Sequence, residues 1–261
     1  MRTVLTIILV LIMCIVISGC TQQPVTSPTV VTPASTPATG SALAVLSNSN
    51  PNAVIALDPG VILVSFHTSG AEKMNVDFGN AAGIQGIRGG WDMGSSFSTN
   101  APFDGSLAFC VPQKDQWIMN ITGTGGWTAE VTSLKPSSVL KVPVNLSGSG
   151  TQVTPFFYLE KGQYFFQRNE TGLSSPQYYL WYANGSYVMD ANNTFVQPGF
   201  GMDSPHPFLV IDIPESGTYF VSTLSRNNPG NWSASIFPVP PLPHMGPGPM
   251  ITQWTGTPLP G

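Results

Sequence analysis

A chain that spells out the same ordered landmarks twice has to build one folded unit twice. Leu57-Asp58-Pro59-Gly60 is answered by Leu159-Glu160-Lys161-Gly162, Val111-Pro112 by Ile213-Pro214, Trp117 by Tyr219, and Gly125-Gly126-Trp127 by Gly230-Asn231-Trp232. The offset is 102 residues at the first three landmarks and 105 at the last, so a small insertion lies near 226–229. The second copy then serves as a comparison for the first. What both share is scaffold, and where they differ is where a function can sit.

Each copy reads as short alternating runs broken by Gly, Pro and Asn, which predicts an all-β fold. Val61-Ile62-Leu63-Val64-Ser65-Phe66 and Trp117 to Ile121 in the first copy have Gln163 to Gln167 and Thr218 to Ser222 at the same places in the second. The closing strands alternate as Trp127, Ala129, Val131 and as Trp232, Ala234, Ile236, which makes both tryptophans core residues. Regular short strands of this kind predict two tandem β-sandwich, jelly-roll-like domains, over residues 43–136 and 137–237. Cys110 is expected to be a buried apolar residue of the strand Leu107 to Val111.

The ends carry no core. Arg2, then the apolar stretch Val4 to Ile17, then Ser18-Gly19-Cys20, read as a signal segment over 1–19, too short for a bilayer span of roughly 20 residues. Residues 20–42 are almost wholly Thr, Ser, Pro, Val, Ala and Gly and read as an extended tether. The Pro- and Gly-rich stretch 238–261 reads as a tail; its Met245, Met250 and His244 lack the spacing of a copper site. Charged residues are 8% of the chain and the net charge is −4, which leaves no basic footprint for nucleic acid.

Ile17-Ser18-Gly19-Cys20 resembles the lipobox of prokaryotic membrane lipoproteins, archaeal ones in particular. The resemblance implies lipid on Cys20, export, and anchoring to the outer face of the cell membrane. The Leu-x-x-Gly turns, Ser69-Gly70 and Gly172, Ile213 to Tyr219, and the closing Gly125 to Thr128 and Gly230 to Ser233 resemble the β-sandwich modules of secreted proteins known as pre-peptidase C-terminal domains. The first copy departs from that pattern, with Lys114-Asp115 in place of Ser216-Gly217. Modules of this kind are non-catalytic accessories, so the resemblance implies binding or architecture.

The sharpest difference between the copies is Tyr178-Tyr179-Leu180-Trp181-Tyr182-Ala183-Asn184-Gly185-Ser186-Tyr187-Val188-Met189, read as a hairpin around a two-residue Asn-Gly turn. That turn sets Tyr182 opposite Tyr187 and Trp181 opposite Val188. Tyr179 and Trp181 then take the outward positions that the first copy fills with Asn75 and Asp77. They either form an open platform for a glycan or surface-protein partner, or pack against the other domain or the tail. Two Gly-rich loops tipped by Trp91 and Phe200 are further candidate binding elements. Asn120, Asn145, Asn169, Asn184, Asn192 and Asn231 stand in glycosylation sequons.

Chemistry beyond binding has little support. Asp92, Asp104, Asp190 and Asp203 lack calcium-loop spacing. Of the three histidines, His67 closes a strand, His206 lies between prolines and His244 is in the tail, and no Gly-x-Ser-x-Gly elbow exists. Glu72, Glu130, Glu160, Glu170 and Glu215 fall in turn or strand-edge contexts. The reading is a lipid-anchored surface protein with a non-catalytic binding role, needing no cofactor or metal. The rivals are a structural envelope component packing laterally with its neighbours and, third, a hydrolase.

Overall fold

The computed structural model describes residues 39–70, 72–86, 96–173, 176–190, 192–193, 195–196, 198, 208–225 and 227–240. The signal 1–19, Cys20, the tether up to residue 38, Trp91, Phe200, Asp92, Asp203, His206 and the tail beyond 240 lie outside the described residues.

Among the described residues every regular element is a strand. The first copy holds β1 (Thr39–Ser47), β2 (Asn52–Leu57), β3 (Gly60–Thr68), β4 (Glu72–Asn80), β5 (Ser96–Thr99), β6 (Phe103–Val111), β7 (Asp115–Gly123) and β8 (Trp127–Leu134). The second holds β9 (Val139–Lys141), β10 (Val144–Ser149), β11 (Gln152–Val153), β12 (Phe156–Leu159), β13 (Gly162–Thr171), β14 (Gln177–Tyr182), β15 (Phe208–Ile213), β16 (Gly217–Leu224), β17 (Asn227–Asn228) and β18 (Asn231–Pro238). The chain enters the first sheet at Thr39, so residues 39–42, assigned to the tether by composition, are strand.

Four sheets result. Sheet I runs β2-β7-β4-β5 and sheet II runs β1-β8-β3-β6, the order of an eight-stranded jelly roll. The second copy repeats it: sheet III has β16 between β14 on one side and β11 and β12 on the other, with β9 outside β12, and sheet IV runs β10-β18-β13-β15. The register repeats as well. Leu63 pairs with Thr132 as Phe165 pairs with Phe237, and His67 pairs with Thr128 as Asn169 pairs with Ser233.

The shared landmarks are structural devices. Gly60 and Gly162 close the Leu-x-x-Gly turns with the same φ of +151°, a backbone state that side chains beyond glycine avoid. Nothing lies within 4 Å of a Cβ built at either, so the backbone angle, and not crowding, calls for glycine there. Trp117 Nε1 donates to the Gln113 carbonyl at 3.2 Å, and the Tyr219 hydroxyl donates to the Glu215 carbonyl, the same bond one repeat later.

The core of the first copy lies between sheets I and II. It is filled by Val64, Phe66, Leu107, Phe109, Trp127 and Val131 against Met74, Val76, Phe78, Trp117 and Met119. Phe78 stacks on Trp117 with ring centroids 4.9 Å apart. The second copy packs Tyr164, Phe166, Tyr178, Leu180, Trp232 and Ile236 around Phe157, Tyr219 and Val221. Cys110 is a free, buried thiol, and burial pushes its ionisation up. With no disulfide among the described residues, apolar burial of this kind supplies the main stabilisation.

The insertion inferred near 226–229 has a structural use. It forms β17, whose Asn227 and Asn228 pair in parallel with Ser98 and Thr99 of β5 in the other copy. Both sandwiches fall within one compact unit.

Candidate functional site

The aromatic hairpin is the first candidate, and the structure removes it. Tyr179 and Trp181 do point away from their own core, as the alternation with Tyr178 and Leu180 requires. Neither reaches solvent, because sheet II of the first copy covers them: Tyr179 is 5% exposed and Trp181 1%. They belong, with Phe156, Phe220, Val153 and Leu224, to the apolar cluster of the first sandwich. Trp181 stacks between Tyr187 at 4.7 Å and Phe220 at 6.0 Å, and its indole N–H donates to Ser222 Oγ at 2.9 Å. They form an inter-repeat joint and offer no ligand platform.

The turn also differs from the expected two-residue form. Gly185 N–H donates to the Tyr182 carbonyl at 2.9 Å and Tyr182 N–H to the Ser186 carbonyl at 3.1 Å, which gives a three-residue loop closed by Gly185 at φ +86°. Trp181 consequently faces Tyr187, and Val188 is shifted by one. The physical reason lies in the partner surface. A Cβ at Gly185 would stand 2.8 Å from Val61 Cγ2 and 3.0 Å from Cys110 Sγ, so the bare glycine lets the tip seat on sheet II.

The seat is fixed by buried polar bonds. Ser106 N–H donates to the Thr151 carbonyl at 3.1 Å, and Val153 N–H donates to Ser106 Oγ at 2.9 Å. Thr151 donates to the Ser225 carbonyl and accepts from Ser225 N–H, and Thr154 accepts from Val221 N–H. Buried groups paired in this way avoid the cost of an unmade hydrogen bond, ~1–3 kcal/mol each.

This joint covers only part of the outer face of sheet II. The rows Val61/Cys110 and Leu63/Ala108/Thr132 are buried under the second copy. The next two rows, Ser106/Ser65/Glu130/Val45 and Asp104/His67/Thr128/Ser47, run out from under it. They line a groove of about 390 Å³ walled by Val45, Ser65, His67, Asp104, Thr128 and Glu130 and closed at one end by Gln152 of the second copy. Gln152 is held there by its side-chain oxygen, which accepts from Ser149 N–H at 2.9 Å, and by its own N–H, which donates to Thr223 Oγ1 at 2.9 Å.

Within the groove His67 Nδ1 and Asp104 Oδ1 lie 2.7 Å apart across paired strands. The carboxylate fixes the ring orientation and leaves the other ring nitrogen for a ligand. Asp104 and Glu130 supply acceptors, and Ser65 and Thr128 supply hydroxyls that serve as either partner. The second copy carries Asn169, Gln167, Ser235 and Ser233 at the positions of His67, Ser65, Glu130 and Thr128, by identical strand register. His67 and Glu130 are therefore a departure from the shared scaffold. Sequence reasoning saw these residues one at a time, as a strand end, a calcium candidate and a strand-edge glutamate. The missing signal was cross-strand register, which alone puts residues 67, 104, 128 and 130 side by side.

Among the described residues no three His, Cys, Asp or Glu side chains gather as metal ligands. Of the sequons, Asn145, Asn169, Asn184, Asn192 and Asn231 are exposed and Asn120 is half-buried. Asn184 sits at the hairpin tip, where its side-chain oxygen accepts from Ser186 N–H at 2.9 Å.

No family model matches the chain, and no curated protein does. Among solved structures 22 chains match. One of them, "Crystal Structure of the STIV MCP", is 10% identical with a TM-score of 0.21, covering 78% of this chain and 97% of that chain.

Proposed function

We propose that this is an exported lipoprotein, anchored to the membrane through Cys20, that binds a hydroxyl-rich ligand such as a surface glycan without catalysis. The binding site in this reading is the groove on sheet II. The observation that carries it is the placement of His67, Asp104, Thr128 and Glu130 in one groove at the junction of the two sandwiches, with His67 and Glu130 standing where the second copy keeps Asn169 and Ser235. Junctions between domains are favoured places for ligand sites. Convergent donors and acceptors, a negative net charge and no basic cluster suit a neutral polar ligand better than an anion. The lipobox supplies the surface location, and the Thr/Pro-rich tether supplies the distance from the membrane.

The test is a glycan array and calorimetry on the full chain and on a variant carrying His67→Asn, Thr128→Ser and Glu130→Ser, the residues of the second copy. All three side chains are exposed, so the fold should persist. Binding should fall by about tenfold or more, the effect of losing one or two charge-assisted hydrogen bonds. Equal glycan binding by both proteins would sink the proposal.

A further inference from the structure

The sheets stack in the order I, II, III, IV, and the apolar face-to-face joint between the copies is II against III, with the short β17–β5 pairing at the edge of sheet I beside it. On the II side it is made by Val61, Leu63, Ala108, Cys110 and Thr132, and on the III side by Phe156, Phe220, Tyr179 and Trp181. Internal duplication means that the stack ends in a second version of each half-joint. Strand register identifies them residue by residue.

Sheet IV carries the equivalent of the receiving half. Phe165, Val210 and Phe237 stand where Leu63, Ala108 and Thr132 stand in sheet II, and Phe208 stands where Ser106 does. Here nothing among the described residues covers them. Phe208 is 50% exposed and Val210 47%, beside Phe165 and Phe237 with ring centroids 5.3 Å apart. The rim is polar: Gln163 Nε2 donates to Asp212 Oδ1 at 2.9 Å, at the positions of Val61 and Cys110. An apolar centre inside a polar rim has the anatomy of a protein interface.

Sheet I carries the equivalent of the entering half. Val54 and Ile118, a registered pair, stand where Phe156 and Phe220 stand in sheet III, and they too are left in solvent, Val54 at 69%. By strand register Asp77 and Gly79, one position on from the Asn75 and Asp77 that the sequence pattern suggests, stand where Tyr179 and Trp181 stand, so this version of the joint is weaker than the internal one.

We propose that sheet IV docks a second copy of this chain through that copy's sheet I, continuing the II–III joint from molecule to molecule. Such a contact is heterologous: each chain offers one half at either end, so the joint does not close on itself and builds head-to-tail rows. The smaller Val54/Ile118 pair makes association reversible, with chains joining as surface density rises. The inference is independent of the groove, which lies on sheet II.

Sedimentation velocity of the full chain in non-ionic detergent tests it. The unaltered protein should grow from monomer to dimer and longer species with concentration. Val54→Asp and Val210→Asp should each weaken that growth by about tenfold or more, because each places a charge at the centre of one half-joint. Mixing the two variants should restore a dimer and nothing longer, since each contributes its one intact half. Self-association of Val54→Asp alone would instead mean that sheet IV pairs with sheet IV, and would overturn the proposal. So would oligomers insensitive to both substitutions, or a chain that stays monomeric throughout. Ile118→Asp and Phe208→Ser repeat the experiment at neighbouring exposed positions should either first variant fail to fold.

Discussion

At the residue scale the structure turns on a few side chains whose position in the sheet differs from their position in the sequence. Tyr178 and Tyr219 are fully buried, and their phenols are pushed well above the ordinary tyrosine range. Burial is the main cause, with the Glu170 carboxylate beside Tyr178 and the Tyr182 hydroxyl beside Tyr219 adding to it. The sign follows from linkage. An unfolded tyrosine ionises near pH ~10 while these two stay protonated to higher pH, so their contribution is whole below that value and is lost as pH rises above it. The unfolding free energy read from urea titrations should be flat from pH 7 to about 9.5 and fall beyond pH ~10 at roughly 1.4 kcal/mol per pH unit for each buried phenol. Tyr178→Phe should make that fall shallower; an unchanged alkaline slope would refute the assignment. His67 shows the opposite limit of legibility. As a letter it was a strand end, and only pairing with Asp104 and Thr128 made it part of a groove.

At the element scale the hairpin β14–Gly185–Met189 is the clearest case of local signal meeting tertiary demand. Alternation gave its two faces correctly, since period-two geometry is local. The Asn-Gly dipeptide suggested a two-residue turn, yet the observed loop has three residues with only Gly185 at positive φ. The contact with Val61 and Cys110 selects that form, and no local rule contains it. Gly185→Ala therefore carries two penalties, a left-handed backbone and a clash with sheet II, together about 2–4 kcal/mol. Denaturant unfolding should show that loss, and Cys110, shielded from thiol reagents in the native protein, should become labelled faster. A variant as stable as the parent, with Cys110 still protected, would mean that the tip does not seat on sheet II. The Leu-x-x-Gly turns behave differently: Gly60 and Gly162 answer to backbone angle alone, which is why they were readable as a repeat.

At the scale of the whole molecule the two sandwiches share one apolar cluster, which holds residues of both copies. Trp181→Ala should destabilise the first copy as much as the second, by roughly 3–5 kcal/mol, the cost of deleting a buried indole. Calorimetry of the unaltered chain should show a single transition; two separated transitions would show that the joint is too weak to couple the repeats. Sequence alone determined the all-β class, the duplication, the strand positions, the core tryptophans and which hairpin face looks away from its own core. Those follow from short-range rules, alternation, turn chemistry and self-similarity, which act within a few residues or compare one stretch with another. Tertiary structure alone decided that Tyr179 and Trp181 are a joint, that the insertion at β17 bridges the copies, and that His67, Asp104 and Glu130 share a groove. Each of these depends on which face meets which and on cross-strand register over separations of tens of residues, quantities set by the packing of whole sheets and absent from any local pattern.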